Sequence, residues 1–366
     1  MKVLIAQLNS NTTKRIRRSL LAWFRREQRD LPWRRTRDPY SVWLCEILLQ
    51  QTRVDQGTPY YERFLAAFPT VESLAQASED EVLKLWEGLG YYTRARNLLK
   101  AARIVVQERG GAFPQCAAEW RELPGVGRYT AGAIASIAFG ERVAVLDGNV
   151  KRVLSRLFDI EDCVDDARTQ DQLWSIAEAL VPPGAPGDFN QGMMELGARI
   201  CLPRNPRCPT CPLGNVCVAH EAGTQDQRPV RRPKKEAPHH EVAIAVLCKN
   251  GWYLLGKRPA KGLLGGLWEF PGSAIRPGET HAQALRREAK EELGIRLRVG
   301  CLIATVTHAY SHLRVTLHVY ACSHVSGTPR PKSHDALKWV PRSQLSHYAL
   351  PKANHKFLHL LAPDGG

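Results

Sequence analysis

Apolar side chains recur at helical spacing through roughly the first 220 residues of the chain, and turn signals separate these amphipathic runs. The turn signals include Asp38-Pro39, the stretch Gly88–Gly90 and the stretch Gly125–Gly127. This pattern predicts an all-α domain over residues 1–222.

The pattern changes in the second half of the chain. Residues 223–238 contain hardly any apolar side chain, so they cannot bury enough surface to fold alone and are predicted to form a linker. Beyond them, Asn250-Gly251 separates two short apolar runs, an arrangement typical of a β-hairpin. Residues 239–366 are therefore predicted to form an α+β domain. Its predicted elements are strands at Val242–Cys248, Trp252–Leu255, Leu302–His308 and Arg314–Cys322 and a helix at Ala282–Leu293.

Length and charge define the class of protein. A chain of 366 residues, 44% of them hydrophobic, is long enough for two or three domains with their own cores. The formal net charge is +15, of which residues 1–222 carry +3 and residues 223–366 carry +12. This excess favours nucleic acid over an anionic membrane as partner, although a basic face kept for solubility has the same composition. No apolar run approaches the roughly 20 residues of a membrane-spanning helix, so we expect a soluble intracellular protein.

Four of the ten cysteines lie close together in the sequence. Cys201, Cys208, Cys211 and Cys217 follow the spacing C-x6-C-x2-C-x5-C, with prolines in the intervals. Four thiolates this close can converge on one metal centre in a reducing compartment. Zinc and a [4Fe-4S] cluster both accept four thiolates, so the spacing leaves both open.

Two turns in the helical half carry candidate chemistry. Gly125 and Gly127 lie between helical runs, where bare backbone N–H groups and the positive end of the next helix suit a DNA phosphate. Asp147 is predicted to cap a helix over Val150–Phe158. A capping carboxylate accepts backbone hydrogen bonds and stays ionised, so the same side chain can face a developing cation.

One carboxylate, Glu46, is embedded in the apolar run Val42–Leu49 of a helix that Asp38-Pro39 is predicted to open. Burial disfavours the charged form and raises the pKa of such a group. A neutral carboxylic acid can protonate a leaving group near physiological pH. Glu46 is therefore a candidate general acid, whereas in isolation it would be read as a glutamate on the helix surface.

These motifs resemble the helix-hairpin-helix DNA glycosylases of the endonuclease III superfamily. In bifunctional members of that superfamily, a lysine that forms a Schiff base with the sugar occupies the position of Tyr129. With a tyrosine at this position, the sequence resembles the MutY-type adenine DNA glycosylases. The resemblance extends over residues 16–220 and into the second domain. Further segments carry the same resemblance: Asp30–Arg34, Glu46–Thr52, Gly88–Tyr92 and Asn190–Gly197.

The resemblance implies a [4Fe-4S] cluster on the four cysteines, in a module of about residues 201–217. It implies that Glu46 protonates adenine, that ionised Asp147 stabilises the sugar cation, and that Asn149 helps to place the attacking water. Tyr129 would contact Asp147 or the sugar. The resemblance also implies two sets of DNA contacts. Arg29, Trp33 and Glu195 would line a pocket for the adenine, and Gln51 and Tyr91 would enter the space that the rotated nucleotide leaves in the DNA double helix.

The second domain contains a segment, Arg287–Ile295, that closely resembles the Nudix box of nucleotide-diphosphate hydrolases. Helical spacing predicts that Glu288, Glu291 and Glu292 share one face, where they could hold Mg²⁺ against a pyrophosphate. The opening glycine of the family's box is replaced by Ser273. This departure affects the loop geometry on which hydrolysis depends.

The MutY-type family uses a Nudix-like domain to read 8-oxoguanine without hydrolysing nucleotides. Tyr310, Ser311 and His312 match the family's Phe-Ser-His lesion-reading loop except for the tyrosine, and such a hairpin tip can stack on and hydrogen-bond a base. The resemblance thus predicts a monomeric, cytoplasmic and nucleoid-associated adenine DNA glycosylase. Its expected partner is duplex DNA with adenine opposite 8-oxoguanine or guanine. The alternatives are a Nudix-type hydrolase of oxidised nucleoside triphosphates, alone or as a second activity, and a non-catalytic DNA-binding protein.

Overall fold

The fold comes from a computed structural model of the chain, which describes residues 9–233, 236–310 and 313–362. Contacts divide the chain into two units, Met1–Ala75 with Lys100–Lys234 and Gln76–Leu99 with Lys235–Gly366. The division places Gln76–Leu99, which the sequence assigns to the helical domain, with the C-terminal unit. Among the described residues, no helix is both long enough and apolar enough to cross a membrane.

Helices follow one another along the first half of the chain, as the amphipathic runs predict. Short 3₁₀ turns and loops connect them. Their bounds are α1 (Ser10–Glu27), α2 (Pro39–Leu48), α3 (Val54–Ala67), α4 (Val71–Gln76), α5 (Glu79–Trp86), α6 (Thr93–Arg109), α7 (Ala117–Trp120), α8 (Arg128–Ala138), α9 (Gly148–Leu157), α10 (Ala167–Leu180), α11 (Pro186–Arg199) and α12 (Val218–Glu221).

Two of these helices begin where their capping aspartates predict. The carboxylate of Asp38 accepts the backbone N–H of Ser41 at 2.8 Å at the start of α2. The carboxylate of Asp147 accepts the N–H of Val150 at 2.8 Å at the start of α9. Each carboxylate satisfies a donor that the first helical turn leaves unpaired.

The core of the first unit lies between α1, α9, α10 and α11. Ile16, Leu20 and Phe24 form the buried face of α1. The close approach of α9 and α11 depends on Gly197, because an added Cβ there would lie 2.6 Å from the Cβ of Asn149. This contact brings the start of α9 against the last turn of α11, and the candidate site forms beside it.

The first part of the linker packs on the helical unit. Arg228 is buried and forms ion pairs with Asp159 and Glu161, both at 2.9 Å. The N–H of Val164 donates to the carbonyl of Val230 at 3.0 Å. Polar contacts rather than an apolar core hold this segment, so its composition alone does not indicate that it is ordered.

A mixed sheet forms the centre of the second unit, with the strand order β3-β2-β1-β6-β5. Strand β4 also pairs with β1, and β7 with β2. The central pair, β1 and β6, is parallel, and the other pairs are antiparallel. The strands are β1 (His239–Lys249), β2 (Trp252–Lys257), β3 (Trp268–Glu269), β4 (Gly272–Ala274), β5 (Arg296–Ala309), β6 (Arg314–Ser326) and β7 (Ala336–Pro341).

The predicted hairpin between β1 and β2 is confirmed. Lys249 pairs with Trp252, and the two residues between them, Asn250 and Gly251, have φ angles of 50° and 77°. Both angles lie in the left-handed region that a two-residue hairpin turn of this kind requires. Asparagine and glycine are the residues that tolerate this conformation best.

Helices cover the two faces of this sheet. Helix α13 (His281–Glu288) continues as a π-helical turn over Ala289–Leu293, in agreement with the predicted helix. Its apolar side packs with Ala243, Ala245 and Leu247 of β1. The alternate residues of β1 pack on the other face with residues 345–361, which include α14 (Lys352–His355). Strands β5 and β6 are longer than predicted. Their outer residues are exposed and lack a clear apolar pattern, so the sequence does not mark them as strand.

Polar contacts join the segment Gln76–Leu99 to the rest of the second unit. Asp80 forms an ion pair with Lys257 at 2.8 Å. Glu87 accepts the backbone N–H of Leu350 at 2.7 Å and lies 2.8 Å from a ring nitrogen of His355. These partners are more than 170 residues away in the chain, which explains why local sequence patterns do not reveal the contact.

Candidate active site

One cavity of about 150 Å³ in the first unit collects most of the predicted catalytic residues. It lies where α2, α8, α9 and α11 face one another, beside the turn that precedes α2. The sequence-predicted residues that line it are Arg29, Trp33, Glu46, Tyr129, Asp147, Asn149 and Glu195.

Glu46 lines this cavity from α2 and is only 8% exposed. The hydroxyl of Tyr129 donates a hydrogen bond to its Oε2 at 2.8 Å. Burial, with a contribution from Asp147, raises the pKa of Glu46 to about 7, although Tyr129 and Arg34 oppose this shift. The raised pKa agrees with the expectation from the apolar run and leaves a substantial protonated fraction near neutral pH.

Tyr129 contacts Glu46 rather than Asp147. Its hydroxyl also lies 3.2 Å from the sulfur of Met194. Burial, together with the nearby carboxylates, raises the pKa of the Tyr129 phenol well above its usual value. The phenol therefore stays neutral and acts as a hydrogen-bond donor that fixes the Glu46 carboxyl group.

Asp147 combines a capping role with a position in the cavity. Its second oxygen accepts a hydrogen bond from the side-chain amide of Asn149 at 2.9 Å. Burial raises the pKa of Asp147 above its ordinary value, although the hydrogen bonds from Val150 and Asn149 oppose the shift. The sequence predicts the capping hydrogen bond but not this burial, because the extent of burial depends on the tertiary packing around α9.

Arg152 is a residue that sequence reasoning missed. It is buried, and its guanidinium donates to Oδ1 of Asn149 at 2.8 Å and to the carbonyl of Gly197 at 2.8 Å. Its Nε donates to the carbonyl of Cys201 at 2.7 Å. Because the guanidinium holds Oδ1, the NH₂ group of Asn149 must face Asp147. Its spacing of three residues from Asn149 on the same helix is the only sequence signal for this role.

Glu195 lines the predicted pocket as the centre of an ion-pair cluster. Arg29 binds both of its oxygens, at 2.8 and 2.7 Å, and Arg34 binds Oε2 at 2.9 Å. These arginines lower the pKa of Glu195 to about 2 against the effect of its burial. Glu195 is therefore an ionised clamp for two cations rather than a proton donor. Sequence reasoning missed Arg34, although it lies next to Trp33 in the quoted motif.

The residues predicted to contact DNA lie outside the small cavity. Gln51 lines the wider opening that also contains Asp147. Tyr91 is 41% exposed and belongs to the second unit. The φ angles are 58° for Gln51 and 49° for Tyr91, a conformation that side-chain-bearing residues rarely adopt. Strain of this kind is concentrated at functional sites, which agrees with a role for both residues in DNA contact.

The glycines of the predicted phosphate-binding turn have distinct conformations. Gly125 has a φ of 80°, so the turn requires glycine there. Gly127 is the N-cap residue of α8, and nothing lies within 4 Å of a Cβ added to it. The backbone before α8 is therefore open to an approaching anion.

The four predicted metal-ligating cysteines line one small apolar cavity of the first unit. Each of the four is outside any disulfide bond. The guanidinium of Arg156 lies 3.3 Å from the sulfur of Cys201, and the thiol of Cys217 donates to the Arg156 carbonyl at 3.4 Å. Four converging thiols beside a buried cation are a suitable environment for a thiolate-ligated metal centre, whose net charge is negative.

In the second unit, the Nudix-like glutamates do not gather as predicted. Glu288 is buried near Glu292, and burial with this neighbouring charge raises the pKa of Glu288 to about 8. Glu291 is exposed and lies 3.7 Å from Arg287. The π-helical turn changes the angular spacing that an α-helix would give these residues. Within the described ranges, the three carboxylates form no group close enough to share one ion.

Ser273, which replaces the glycine of the box, is bound within the unit. Its hydroxyl accepts a hydrogen bond from Arg287 at 3.1 Å. Arg287 also binds Glu279 through two hydrogen bonds of 2.8 and 2.9 Å. The box thus contributes polar contacts that join α13 to the segment before it.

Of the predicted lesion-reading residues, Ser311 and His312 lie outside the described residues. Tyr310 is half-buried, and its ring meets that of His308 edge to face at 4.6 Å between centroids. It lines a cavity of about 370 Å³ in the second unit that also contains Tyr91 and Lys352. Burial raises the pKa of Tyr310 to about 12, so its hydroxyl stays protonated.

Two family models match separate segments of the chain. Residues 44–179 match the family described as HhH-GPD superfamily base excision DNA repair protein, and residues 242–360 match the NUDIX domain. Human adenine DNA glycosylase is 37% identical over 93% of this chain and 72% of its own length. The enzyme of the same name from Rattus norvegicus is 36% identical over 93% of this chain and 76% of its own length.

Solved structures resemble the helical part of the chain. A thermostable thymine-DNA glycosylase is 33% identical, has a TM-score of 0.53 and covers 58% of this chain and 98% of its own. Endonuclease III in a non-covalent DNA complex is 22% identical with a TM-score of 0.50, covers 60% of this chain and 99% of its own, and shares the fold. The resemblance inferred from the motifs is thus confirmed over most of the sequence, and the chain belongs to the adenine DNA glycosylase family of base excision repair enzymes.

Proposed function

We propose that the enzyme hydrolyses the bond between adenine and deoxyribose in duplex DNA when the adenine lies opposite 8-oxoguanine or guanine. It acts on the duplex as a monomer and forms no covalent intermediate with the sugar. The observation that carries this proposal is the cavity in which a protonatable Glu46 and the carboxylate of Asp147 lie on facing elements. Access to such a cavity requires the adenosine to rotate out of the base stack.

Glu46 acts first, as a general acid. With a pKa of about 7 it holds a proton for part of the time at neutral pH, and Tyr129 fixes the carboxyl group that donates it. Protonation of the adenine ring converts a poor leaving group into a neutral one as the glycosidic bond breaks. Trp33 lies in the same cavity and provides a flat apolar surface for the base.

Asp147 acts as positive charge develops on the sugar. Hydrogen bonds from Val150 and Asn149 favour its ionised form, and the developing cation favours that form further. Asn149 lies beside the carboxylate and is the side chain that helps to place the attacking water. Because Arg152 fixes the orientation of Asn149, it serves as a positioning residue.

The glycosylase assay tests this function directly. Purified enzyme is incubated with duplexes that carry adenine opposite 8-oxoguanine, guanine or thymine, and strand breakage is measured with and without alkali. We expect breaks for the first two duplexes, only after alkali. Release of adenine from none of the three duplexes would refute the proposal.

The absence of an amine at position 129 gives a separate prediction. We expect no covalent capture of the enzyme on its DNA product by sodium borohydride, because Tyr129 cannot form a Schiff base. A Tyr129→Lys variant is the positive control, since it places an amine in the same cavity. Capture of the natural enzyme as efficient as that of a bifunctional lyase would contradict the hydrolytic mechanism.

We further propose that Tyr310, Ser311 and His312 recognise 8-oxoguanine. Replacement of Ser311 and His312 by alanine should reduce the preference for 8-oxoguanine over guanine by about 1–3 kcal/mol, the range for a well-made base contact. Single-turnover rates on the two duplexes measure this preference. Lys290→Ala, an exposed change in the same unit, is the control.

Truncation near Pro238 should likewise weaken the lesion preference while adenine excision persists. Truncation also removes the partners of Asp80 and Glu87, because Gln76–Leu99 contacts the rest of the second unit. The substitutions therefore provide the sharper measurement. A variant with unchanged preference would show that the loop has no part in recognition.

We propose that Cys201, Cys208, Cys211 and Cys217 hold a [4Fe-4S] cluster that supports the fold. All four cysteines line one small apolar cavity of the first unit, as the ligands of a single metal centre must. Zinc and a [4Fe-4S] cluster both accept four thiolates, and the family resemblance supports the cluster. The positive charge of Arg156 beside Cys201 would stabilise the negative charge of a thiolate-ligated cluster.

The cluster proposal predicts that purified enzyme is brown and contains about four irons per chain. Cys208→Ser should lower the yield of folded protein before it affects the chemistry, because metal binding stabilises the module. Iron analysis and visible absorption measure the first result, and soluble yield measures the second. Cys163→Ser, at a cysteine outside the module, is the control. Stoichiometric zinc with negligible iron in protein purified without oxygen would contradict the proposal.

A further inference from the structure

A second group of metal-binding side chains lies in the second unit, away from the four cysteines. One ligand atom each of Glu241, His281 and His318 lies within 4.8 Å of the other two. Nε2 of His318 is 3.3 Å from Oε2 of Glu241, and the rings of the two histidines stack at 4.1 Å between centroids. Neither the glycosylase chemistry nor the Nudix-like box uses these residues.

Three rigid elements hold the group in place. Glu241 is on β1 and His318 on β6, the parallel pair at the centre of the sheet, in which Glu241 pairs with Thr316. Alternation along each strand puts both side chains on the face that α13 covers. His281 is the first residue of α13, whose start is fixed by a reciprocal capping box between Thr280 and Gln283.

A neighbouring tyrosine fixes one of the imidazole rings. Nδ1 of His281 is 2.8 Å from the hydroxyl of Tyr320 on β6. When Nδ1 carries the proton and donates to this oxygen, Nε2 keeps its lone pair and is available as a ligand. Metal-binding histidines in proteins have this second hydrogen bond almost without exception, because it sets the tautomer and the ring orientation.

We propose that Glu241, His281 and His318 bind one Zn²⁺ ion. Two imidazoles and one carboxylate suit zinc, whereas Mg²⁺ prefers ligands that are all oxygen. Glu241 is exposed and both histidines are partly exposed, so water completes the tetrahedral coordination. The ion would tie the beginning of β1, directly after the linker, to β6 and α13. This site is independent of the proposed glycosylase mechanism.

Isothermal titration of Zn²⁺ into the full-length enzyme tests the site. We expect one zinc per chain with no loss of iron, since iron loss would indicate binding to the cysteines instead. His318→Ala and His281→Gln should each weaken binding at least about a hundredfold, and Tyr320→Phe about tenfold. Thermal unfolding should shift to higher temperature by several degrees when zinc is in excess, and the shift should vanish in the two histidine variants.

His324→Ala is the matched control, because His324 is on the same strand but lies against the carbonyl of Gly327. It should bind zinc as tightly as the natural enzyme. Glu241→Gln covers the case in which a histidine variant does not fold, since Glu241 is exposed. The proposal is wrong if the natural enzyme binds no zinc at millimolar concentration, if zinc binding displaces iron, if these variants bind as tightly as the control, or if equimolar Mg²⁺ competes.

Discussion

Glu46→Gln should abolish most adenine excision while duplex binding stays nearly unchanged. The amide keeps the shape of the side chain and still accepts the hydrogen bond from Tyr129 at the position where Oε2 lies 2.8 Å from its hydroxyl. It has no acidic proton to give to adenine, so the loss is about 10²–10⁴-fold, the usual contribution of a general acid. Single-turnover kinetics measure this loss, and fluorescence anisotropy measures duplex affinity.

The pH dependence of the natural enzyme gives an independent test of the same residue. The acid is active in its protonated form, so the rate should be constant well below pH 7 and fall as the pH rises through the Glu46 pKa of about 7. This alkaline limb should be absent from the residual activity of Glu46→Gln. Glu62→Gln, a change on the exposed side of α3, should keep both the rate and the limb. If Glu46→Gln kept more than a third of the natural excision rate, Glu46 would be excluded as the general acid.

Local sequence signals located the centre of this site because each catalytic candidate stands out from its own segment. Glu46 is a charge inside an apolar run, and the structure buries it in the wall of the cavity. Asp147 precedes a helix at the position of an N-cap, and it caps that helix. In both cases the physical cause acts within about one helical turn, which is the distance over which sequence patterns are informative.

Other parts of the site depend on residues that are distant in the chain. Arg34 and Arg29 meet Glu195 across more than 160 residues, and Arg152 reaches Cys201 across 49. An arginine in a helix is usually solvated, so its sequence context does not indicate a buried network. The raised pKa of Asp147 has the same origin, because burial by distant segments opposes the local hydrogen bonds.

The arrangement of Glu46 and Asp147 has a consequence that neither residue shows alone. The charge of Asp147 contributes to the raised pKa of Glu46, because a nearby negative charge disfavours ionisation of a second carboxyl group. Before the bond breaks, the proton on Glu46 limits this repulsion. When that proton moves to adenine, positive charge on the sugar compensates for the new negative charge. The pair therefore suits a reaction in which proton transfer and cation formation occur together.

Asp147→Asn should reduce excision at least about a hundredfold, with duplex binding preserved. The asparagine oxygen can still accept the N–H of Val150, so α9 keeps its cap and the fold is retained. The negative charge that would face the sugar cation is lost, and the other carboxylates of described residues that line this cavity are those of Glu46 and Glu195. Single-turnover rates and the melting temperature of the variant measure the two effects separately.

The matched control for this prediction is Asp38→Asn, the same change at another helix N-cap that accepts a backbone N–H at 2.8 Å. If loss of capping caused the defect, both variants would lose melting temperature and activity together. If charge causes it, Asp38→Asn keeps its rate, while Asp147→Asn loses its rate at an unchanged melting temperature. Retention of excision within threefold by Asp147→Asn would mean that the cation is stabilised elsewhere. The electrostatic role would then have to be assigned to the DNA phosphates, which are the other source of negative charge near the sugar.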